Sequence, residues 1–376
     1  MPRLFYNAAK INYKDGLMDK VYLILASGDV FEGTSIGAKG ETVGEVVFTT
    51  AMTGYLETIT DPSYYGQIVV QTFPLIGNVG VIPEDFESSG IRLKGYIVRD
   101  LCEYPSNFRC KGSLGDFLKE QGVIGIQGID TRHLTKIVRE RGVMNGIITS
   151  SPKLTVAQKK ALEEYSIKGA VQETSCKKSY VVPAKGEKKF RVALVDYGSK
   201  SNIERELVAR GCEITVFPCS SKAKDILKGG FDGIMLTNGP GDPAENVFEI
   251  EQVKKLMAGG LPVFGICLGH QLMALAQGAK TVKLKYGHRG GNQPAKEVGA
   301  DRIYITSQNH GYAVDGDTLP ADKGYVSFVN ANDGTCEGIN YTCCNAFSVQ
   351  FHPEACAGPL DTQFLFDRFI EKMEEK

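Results

Sequence analysis

Neither sign of charge predominates in this sequence. Its 376 residues include 43 lysines and arginines and 44 aspartates and glutamates, which leaves a net charge of −1 at pH 7. Proteins that bind nucleic acids usually present a concentrated basic surface, and this balanced composition gives no such footprint. We therefore expect no nucleic-acid partner.

Long apolar runs are also missing, and none approaches the length that spans a membrane. The segment Met1–Lys20 mixes Lys, Asp and Asn and lacks the apolar core of a secretory signal. The ten cysteines are scattered without one Cys-x-x-Cys pair, which argues against a zinc site or a thioredoxin-like redox site. We expect a cytoplasmic protein with no membrane segment and no metal, since a reducing compartment leaves thiols unpaired.

What the sequence does contain is a short apolar run, Pro262–Ile266, that leads into a Gly-x-Cys-x-Gly pattern centred on Cys267. Leucines and alanines then recur at helical spacing until Gly278. The pattern predicts a strand, a sharp turn and a helix, with cysteine at the nucleophile position. The small neighbours let the backbone bend, and the helix N-terminus favours a thiolate. A lone cysteine is more often structural, but the flanking glycines favour a nucleophile.

A general base for this cysteine must come from only five histidines: His133, His270, His288, His310 and His352. His270 would lie beside or behind Cys267, so we expect a structural role for it. His352 ends an apolar strand and precedes Pro353 and Glu354, and side chains two residues apart in extended chain share a face. Cys267, His352 and Glu354 thus form a plausible triad. The alternative is a turn with a solvated glutamate.

Two glycine-rich segments are further candidates. Asn238–Pro243 follows a predicted strand, and its two glycines would let the backbone approach an oxyanion or a phosphate, although an ordinary strand-to-helix turn fits equally well. It is not a P-loop, because no Gly-Lys-Ser/Thr follows. Gly287–Asn292 is a weaker candidate loop, and Ser307–Gly311 is a predicted polar turn whose His310 could line a pocket. Together with Cys267 these features indicate a cysteine hydrolase or acyl transferase.

The length predicts two or three domains. The first half is rich in strands, such as Val21–Leu25 and Gln67–Gln71, with helices predicted over Ser113–Gln121 and Thr131–Arg141. From Phe190 onward strands alternate with helices, which indicates a parallel sheet with the site at its carboxyl edge. We predict an α/β protein: an N-terminal mixed α/β domain (residues 1–182), a linker (183–189) and a C-terminal doubly wound parallel-sheet domain (190–376).

The segment Phe264–Gln271 resembles the nucleophile segment of the triad-type glutamine amidotransferases. Asn238–Pro243 is similar to their oxyanion loop, and His352–Glu354 to their His-x-Glu pair. Further segments resemble the small subunits of carbamoyl-phosphate synthetase, over about Val21 to Ile370: Phe48–Tyr55, Thr60–Tyr64, Pro74–Asn78, Gly128–Arg132, Gly142–Gly146, Gly287–Asn292 and Gln308–Val314.

This resemblance implies a chain that hydrolyses L-glutamine to glutamate and ammonia. The ammonia would pass through a tunnel to a large subunit, which the N-terminal domain would contact and which would make carbamoyl phosphate for arginine and pyrimidine synthesis. The large subunit would bind ATP and Mg, and this chain would hold no cofactor.

The resemblance also implies residue roles. Cys267 would attack the side-chain amide to form a thioester, His352 would transfer the protons, and Glu354 would orient His352. The backbone of Gly239 and Leu268 would form the oxyanion hole. Ala51 stands where serine is frequent in the family, so only a backbone contact can remain there, and Tyr312 stands where phenylalanine is common. The implied substrate contacts are Ala51, Gly239, Gly241, Leu268, Gln271, Asn309, Gly311 and Tyr312.

Two other functions are compatible with the motifs. The chain could feed ammonia to a different synthetase, which the N-terminal segments argue against. It could also be an inactive scaffold that senses glutamine, which the intact Cys267, His352 and Glu354 argue against.

Overall fold

The computed structural model describes residues 19–355 and 357–375, which form two large sheets and a two-stranded one. The nine cysteines in these ranges are free thiols, and Cys356 and most of Met1–Lys20 lie outside the described residues. No helix in the described ranges is both long and apolar enough to cross a bilayer.

The first sheet is a closed barrel in the order β1-β2-β8-β6-β4-β3-β9. The strands and helices of this half are β1 (Lys20–Leu25), β2 (Val30–Gly37), β3 (Thr42–Thr49), α1 (Tyr55–Thr60), β4 (Gln67–Gln71), β5 (Leu75–Ile76), β6 (Gly95–Ile97), β7 (Asp100–Leu101), α2 (Leu114–Glu120), β8 (Ile124–Gln127), α3 (Thr131–Arg141), β9 (Met144–Thr149), α4 (Val156–Glu164) and α5 (Ala170–Thr174). The helices predicted over Ser113–Gln121 and Thr131–Arg141 are confirmed as α2 and α3, and each is capped by the residue before it: Ser113 and Asp130 accept backbone N–H groups of the first turn.

Alternating side chains of the barrel strands pack against helices. Leu23, Val46 and Ile68 share a buried cluster with α3, whereas Val47 and Val69 point the other way and share one with α1 and α2. This alternation is the period of two that a strand imposes, and it makes the barrel and its helices one buried unit.

The second sheet has ten strands in the order β10-β12-β11-β13-β14-β19-β18-β16-β15-β17. The elements are β10 (Tyr180–Val182), β11 (Phe190–Asp196), α6 (Ser201–Ala209), β12 (Cys212–Pro218), α7 (Ala223–Leu227), β13 (Gly233–Leu236), α8 (Val247–Met257), β14 (Val263–Ile266), α9 (Leu268–Ala276), β15 (Lys280–Glu297), β16 (Ile303–Asp315), β17 (Gly324–Asn330), β18 (Cys336–Tyr341), β19 (Ala346–Val349) and α10 (Phe364–Glu374). Strand β10 joins this sheet just before the predicted linker.

Five strands of this sheet, β12, β11, β13, β14 and β19, run parallel. One face packs against α7, α8 and α9, and the other packs against α6 and α10, where Phe264 stacks on Phe347 with ring centroids 4.4 Å apart. Helices on both faces of a parallel core confirm the predicted doubly wound α/β fold.

The prediction was wrong for the segment after α9. Gly287–Asn292 and Ser307–Gly311 are not loops but lie inside the long antiparallel strands β15 and β16, whose pairing is interrupted by irregular register near Gly290. Glycines and polar residues are typical of turns, but here the barrel covers them. Lys283 pairs with Glu45 at 2.6 Å, and the backbone N–H of Thr50 donates to Arg289 O. This hairpin therefore joins the two halves.

Candidate active site

Cys267 occupies the sharp turn between β14 and α9. Its backbone has φ 52° and ψ −102°, a left-handed conformation that is strained for a residue with a Cβ. The turn is closed by two glycines: a Cβ at Gly269 would lie 2.3 Å from Leu236 O, and one at Gly265 would lie 2.4 Å from the Met273 sulfur. The predicted elbow is thus present, and its flanking glycines are required by close packing.

His352 and Glu354 follow β19, the strand next to β14. His352 Nδ1–H donates to Glu354 Oε1 at 2.6 Å, and both side chains are buried. This bond leaves His352 Nε2, which has no hydrogen-bond partner in the described part of the chain, as the nitrogen available to the Cys267 thiol. Burial and Lys200 oppose protonation of the ring, but Glu354 and Cys267 outweigh them and raise the pKa of His352 to about 10.

Lys200 is a site residue that the sequence did not reveal. It precedes α6, and its Nζ lies 3.2 Å from Glu354 Oε1 inside the protein. Burial raises the pKa of Glu354, but His352 and Lys200 more than offset this and lower it to about 2. The carboxylate therefore stays ionised between two cations. A lysine before a helix is normally solvated, so no local signal marks this one.

The barrel contributes side chains to the site as well. Asp61 Oδ2 accepts from Asn309 Nδ2 at 2.9 Å, and Ser63 Oγ accepts from Asn238 Nδ2 at 3.0 Å. Asp61 and Ser63 belong to the segment Thr60–Tyr64, for which the sequence suggested no role. They hold in place strand β16 and the loop Asn238–Pro243, which both border Cys267.

A cavity of about 400 Å³ opens beside Cys267. Most of the predicted substrate contacts line it, namely Gly239, Gly241, Gln271, Asn309, Gly311 and Tyr312. Gln271 is oriented by two bonds, since its Nε2 donates to Tyr312 O and to Gln350 Oε1. Ala51 instead borders a second cavity of about 60 Å³, together with Lys200, Asn309 and His352. Leu268 is buried at the start of α9.

The loop Asn238–Pro243 follows β13, the strand on the other side of β14. A Cβ at Gly239 would lie 2.3 Å from Tyr197 O, so this position accepts no side chain. Gly241 has φ 89°, a conformation that glycine adopts without strain. The backbones of Gly239 and Leu268 therefore follow neighbouring parallel strands and border the Cys267 turn, as a pair of donors to an oxyanion would.

The other histidines of this half have hydrogen-bond or ion-pair partners other than the thiol, and His310 lines the 400 Å³ cavity, as predicted. His270 Nδ1 is hydrogen-bonded to Ser348, and burial lowers its pKa to about 3, as a structural role requires. His310, on which His288 packs edge-to-face, already has both nitrogens hydrogen-bonded. His288 Nε2 lies 2.8 Å from Asp333 and its Nδ1 3.6 Å from Glu337.

His288, His310 and Glu337 are also the one described set of three potential metal ligands whose ligand atoms lie within 4.8 Å of one another. Because His310 is already hydrogen-bonded at both nitrogens, the set fits an ion pair better than a metal. Burial opposes protonation of His288, but Glu337 and Asp333 prevail and raise its pKa above the ordinary value. The two carboxylates therefore favour the protonated form of His288.

Replacing Glu337 with glutamine should lower the free energy of unfolding by about 2 kcal/mol at pH 6, because one of the two carboxylates around a buried cation is lost. The pKa of His288 is raised on folding from about 6.5. The stabilisation is therefore complete below about pH 6.5 and disappears as the pH rises through the folded value. Urea unfolding should show a larger difference from wild type at pH 6 than at pH 9.

The control for that experiment is Glu297→Gln, the same change on β15 but remote from His288, where Glu297 contacts Tyr304 and Arg368. A destabilisation by Glu337→Gln of equal size at both pH values would contradict the ion pair.

The arrangement can carry out acyl transfer. A thiol at a helix N-terminus, a buried imidazole fixed by a carboxylate, and two backbone N–H groups just after neighbouring strands are the components that attack a carbonyl carbon and stabilise the resulting oxyanion. The neighbouring cavity would hold a small polar substrate.

Comparison with known proteins agrees with this chemistry. Residues 23–148 match the family described as carbamoyl-phosphate synthase small chain, CPSase domain, and residues 193–372 match the glutamine amidotransferase class-I family. The carbamoyl phosphate synthase small chain of Clostridium perfringens is 49% identical over 352 residues, covering 94% of this chain and 99% of the relative. The small chain of Listeria innocua is also 49% identical, over 96% of this chain and 98% of its own. The small chain of Syntrophotalea carbinolica is 46% identical, over 95% of this chain and 98% of the relative.

Proposed function

This chain belongs to the family of carbamoyl-phosphate synthase small chains and is the glutaminase component of that synthase, and from this premise we propose that Cys267, His352 and Glu354 carry out the hydrolysis of glutamine. The observation that carries the proposal is the 2.6 Å bond from His352 to Glu354, buried next to the strained turn that presents Cys267.

In the first half of the reaction, His352 holds on Nε2 the proton taken from the Cys267 thiol, as its raised pKa favours, and the thiolate attacks the carboxamide carbon of glutamine. The negative charge that develops on the oxygen is stabilised by the backbone N–H groups of Gly239 and Leu268. His352 then donates the proton to the leaving nitrogen, the C–N bond breaks, and ammonia leaves a thioester on Cys267.

In the second half, His352 takes a proton from a water molecule, which attacks the thioester carbon. The oxyanion forms at the same place, the C–S bond breaks, and glutamate is released, which restores the Cys267 thiolate beside the protonated His352. Glu354 keeps His352 in one tautomer throughout, and Lys200 keeps Glu354 ionised.

We assign the substrate to the 400 Å³ cavity, where Gly241, Gln271, Asn309, Gly311 and Tyr312 surround the space next to the thiol. Ala51 would contribute through its backbone only. Its carbonyl already accepts a hydrogen bond from Gln71 Nε2, which fixes that backbone segment without a side-chain hydroxyl.

The second cavity supports a route for ammonia. It lies between the two halves of the molecule, with His352 and Asn309 on one side and Thr49, Ala51 and Glu57 of the barrel half on the other. We propose that ammonia leaves through this space toward a large subunit bound by the N-terminal domain (residues 1–182). That subunit would bind ATP and Mg, and a cytoplasmic complex would suit the free thiols of this chain.

The test is glutamate release from glutamine, measured for the chain alone and with its large subunit, ATP and bicarbonate. We expect slow turnover alone and at least a tenfold stimulation by the partner. Fast turnover that ignores the partner would favour a free-standing glutaminase. Stimulation only by another synthetase would reassign the partner, and the absence of turnover in every case would leave an inactive glutamine-binding scaffold.

A further inference from the structure

Arg289 is a buried cation in the wall of the glutamine cavity. Only 4% of its surface is exposed. Its Nη1 donates to Tyr286 O, its Nε has no hydrogen-bond partner, and no carboxylate of the described residues forms an ion pair with it. A buried charge without a counter-charge is costly and rare in folded proteins, so this guanidinium calls for an anionic ligand.

The side chain occupies space that two glycines leave free. A Cβ at Gly287 would lie 2.5 Å from Nη1 of Arg289, and a Cβ at Gly311 would lie 3.3 Å from Nη2. On the paired strand, Arg289 is opposite Asn309, whose carbonyl oxygen is 3.9 Å from Cys267 Sγ. The guanidinium is therefore adjacent to the segment that borders both the nucleophile and the substrate cavity.

The charged groups around Arg289 do not neutralise it. Burial lowers the pKa of Arg289. Tyr64, Glu45 and Cys267 partly oppose this shift, but none of them forms an ion pair with the guanidinium. Glu45 is already ion-paired with Lys283 at 2.6 Å. Because guanidinium groups remain protonated in proteins, the wall of the cavity carries a fixed positive charge.

Glutamine supplies one anionic group, the α-carboxylate, at the opposite end of the molecule from the carboxamide that Cys267 attacks. We propose that Arg289 binds this α-carboxylate and thereby selects free glutamine over substrates in which that group is an amide. The proposal rests on the proposed function of the cavity. It explains the Gly287–Asn292 segment, which has no part in the acyl-transfer steps.

The test compares L-glutamine with its α-amide, glutaminamide, as substrates of the complex with the large subunit. Wild type should prefer glutamine in kcat/KM by about 10²-fold, the usual effect of leaving a buried charge without its partner. Arg289→Gln should lower kcat/KM for glutamine by a similar factor, mainly through KM, and leave glutaminamide turnover unchanged. The preference should therefore disappear. An unchanged preference would overturn the proposal.

A second measurement separates substrate binding from an effect on the thiol. Cys267 should react with neutral iodoacetamide at the same rate in wild type and Arg289→Gln, whereas the anionic iodoacetate should react more slowly in the variant. If instead iodoacetamide slows and the substrate preference stays, Arg289 acts on the thiolate and the proposal is wrong.

The matched control is Arg302→Gln, the same change at an exposed arginine where β15 joins β16, which should keep the wild-type preference. Arg289→Gln should fold. Without glutamine, its melting temperature should equal or exceed that of wild type, because the variant removes an unpaired buried charge. Failure of the proposed function would look different: wild type would then turn over neither substrate.

Discussion

Cys267→Ser should reduce glutamate release by at least about 10³-fold, both for the chain alone and with its partner. A hydroxyl fills nearly the same volume, so the strained turn and its glycines stay undisturbed. However, a serine hydroxyl gives up its proton far less readily than a thiol, and the helix N-terminus and His352 are suited to a thiolate. The measurement is the initial rate of glutamate formation at saturating glutamine.

The control for this variant is ammonia supplied directly to the complex. Carbamoyl phosphate formation from ammonia, ATP and bicarbonate should continue at the wild-type rate, which would show that the variant folds and docks. Residual glutamate release above about a tenth of wild type would mean that another group is the nucleophile.

Glu354→Gln should lower kcat for glutamate release by about 10³-fold with little change in KM, because a neutral amide neither fixes the His352 tautomer nor stabilises an imidazolium. The same change leaves the Lys200 ammonium without the carboxylate 3.2 Å away. The free energy of unfolding at pH 7 should therefore fall by about 3 kcal/mol. Stopped assays and urea unfolding measure the two effects separately.

The double variant Glu354→Gln with Lys200→Met tells these effects apart. Replacing Lys200, which Glu87 and Asp61 then neutralise only in part, should recover some of the stability, but turnover should stay low. Recovery of turnover would mean that Glu354 serves only to neutralise Lys200.

The pH dependence of the single variant follows from the pKa of Glu354, which folding lowers to about 2. The stabilisation from its carboxylate is complete above the unfolded pKa of about 4.3 and is lost as the pH falls toward 2. Wild type and Glu354→Gln should therefore converge in stability in acid.

The parts of the site that the sequence revealed are local in the chain. Cys267 has its glycines two residues away on each side, and His352 lies two residues from Glu354, so spacing alone indicates the geometry. Lys200 and Arg289 reach the site only because β11 and β15 bring them there. Nothing within a few residues of either distinguishes a buried cation from a solvated one.

In the fold as well, features set by local sequence were predictable and features set by long-range pairing were not. The parallel core was predictable because each strand is an apolar run followed by an amphipathic helix. The closure of the first sheet depends on β1 pairing with β9, more than a hundred residues later, and no local pattern encodes that pairing. The hairpin of β15 and β16 was missed because its glycines and polar side chains are covered by the barrel, which sequence periodicity cannot show.

The bond between Asp61 and Asn309 has a consequence for regulation. Asn309 lines both cavities, yet the carboxylate that positions it belongs to the barrel half. If the cavity binds glutamine as proposed, a protein that shifts the position of Asp61 on docking to the barrel would change the affinity of the cavity for glutamine. Thermodynamic linkage makes this reciprocal: glutamine must change the affinity for that protein by the same factor. A fragment that contains only the second sheet and its helices would lack Asp61 and would therefore lose this coupling.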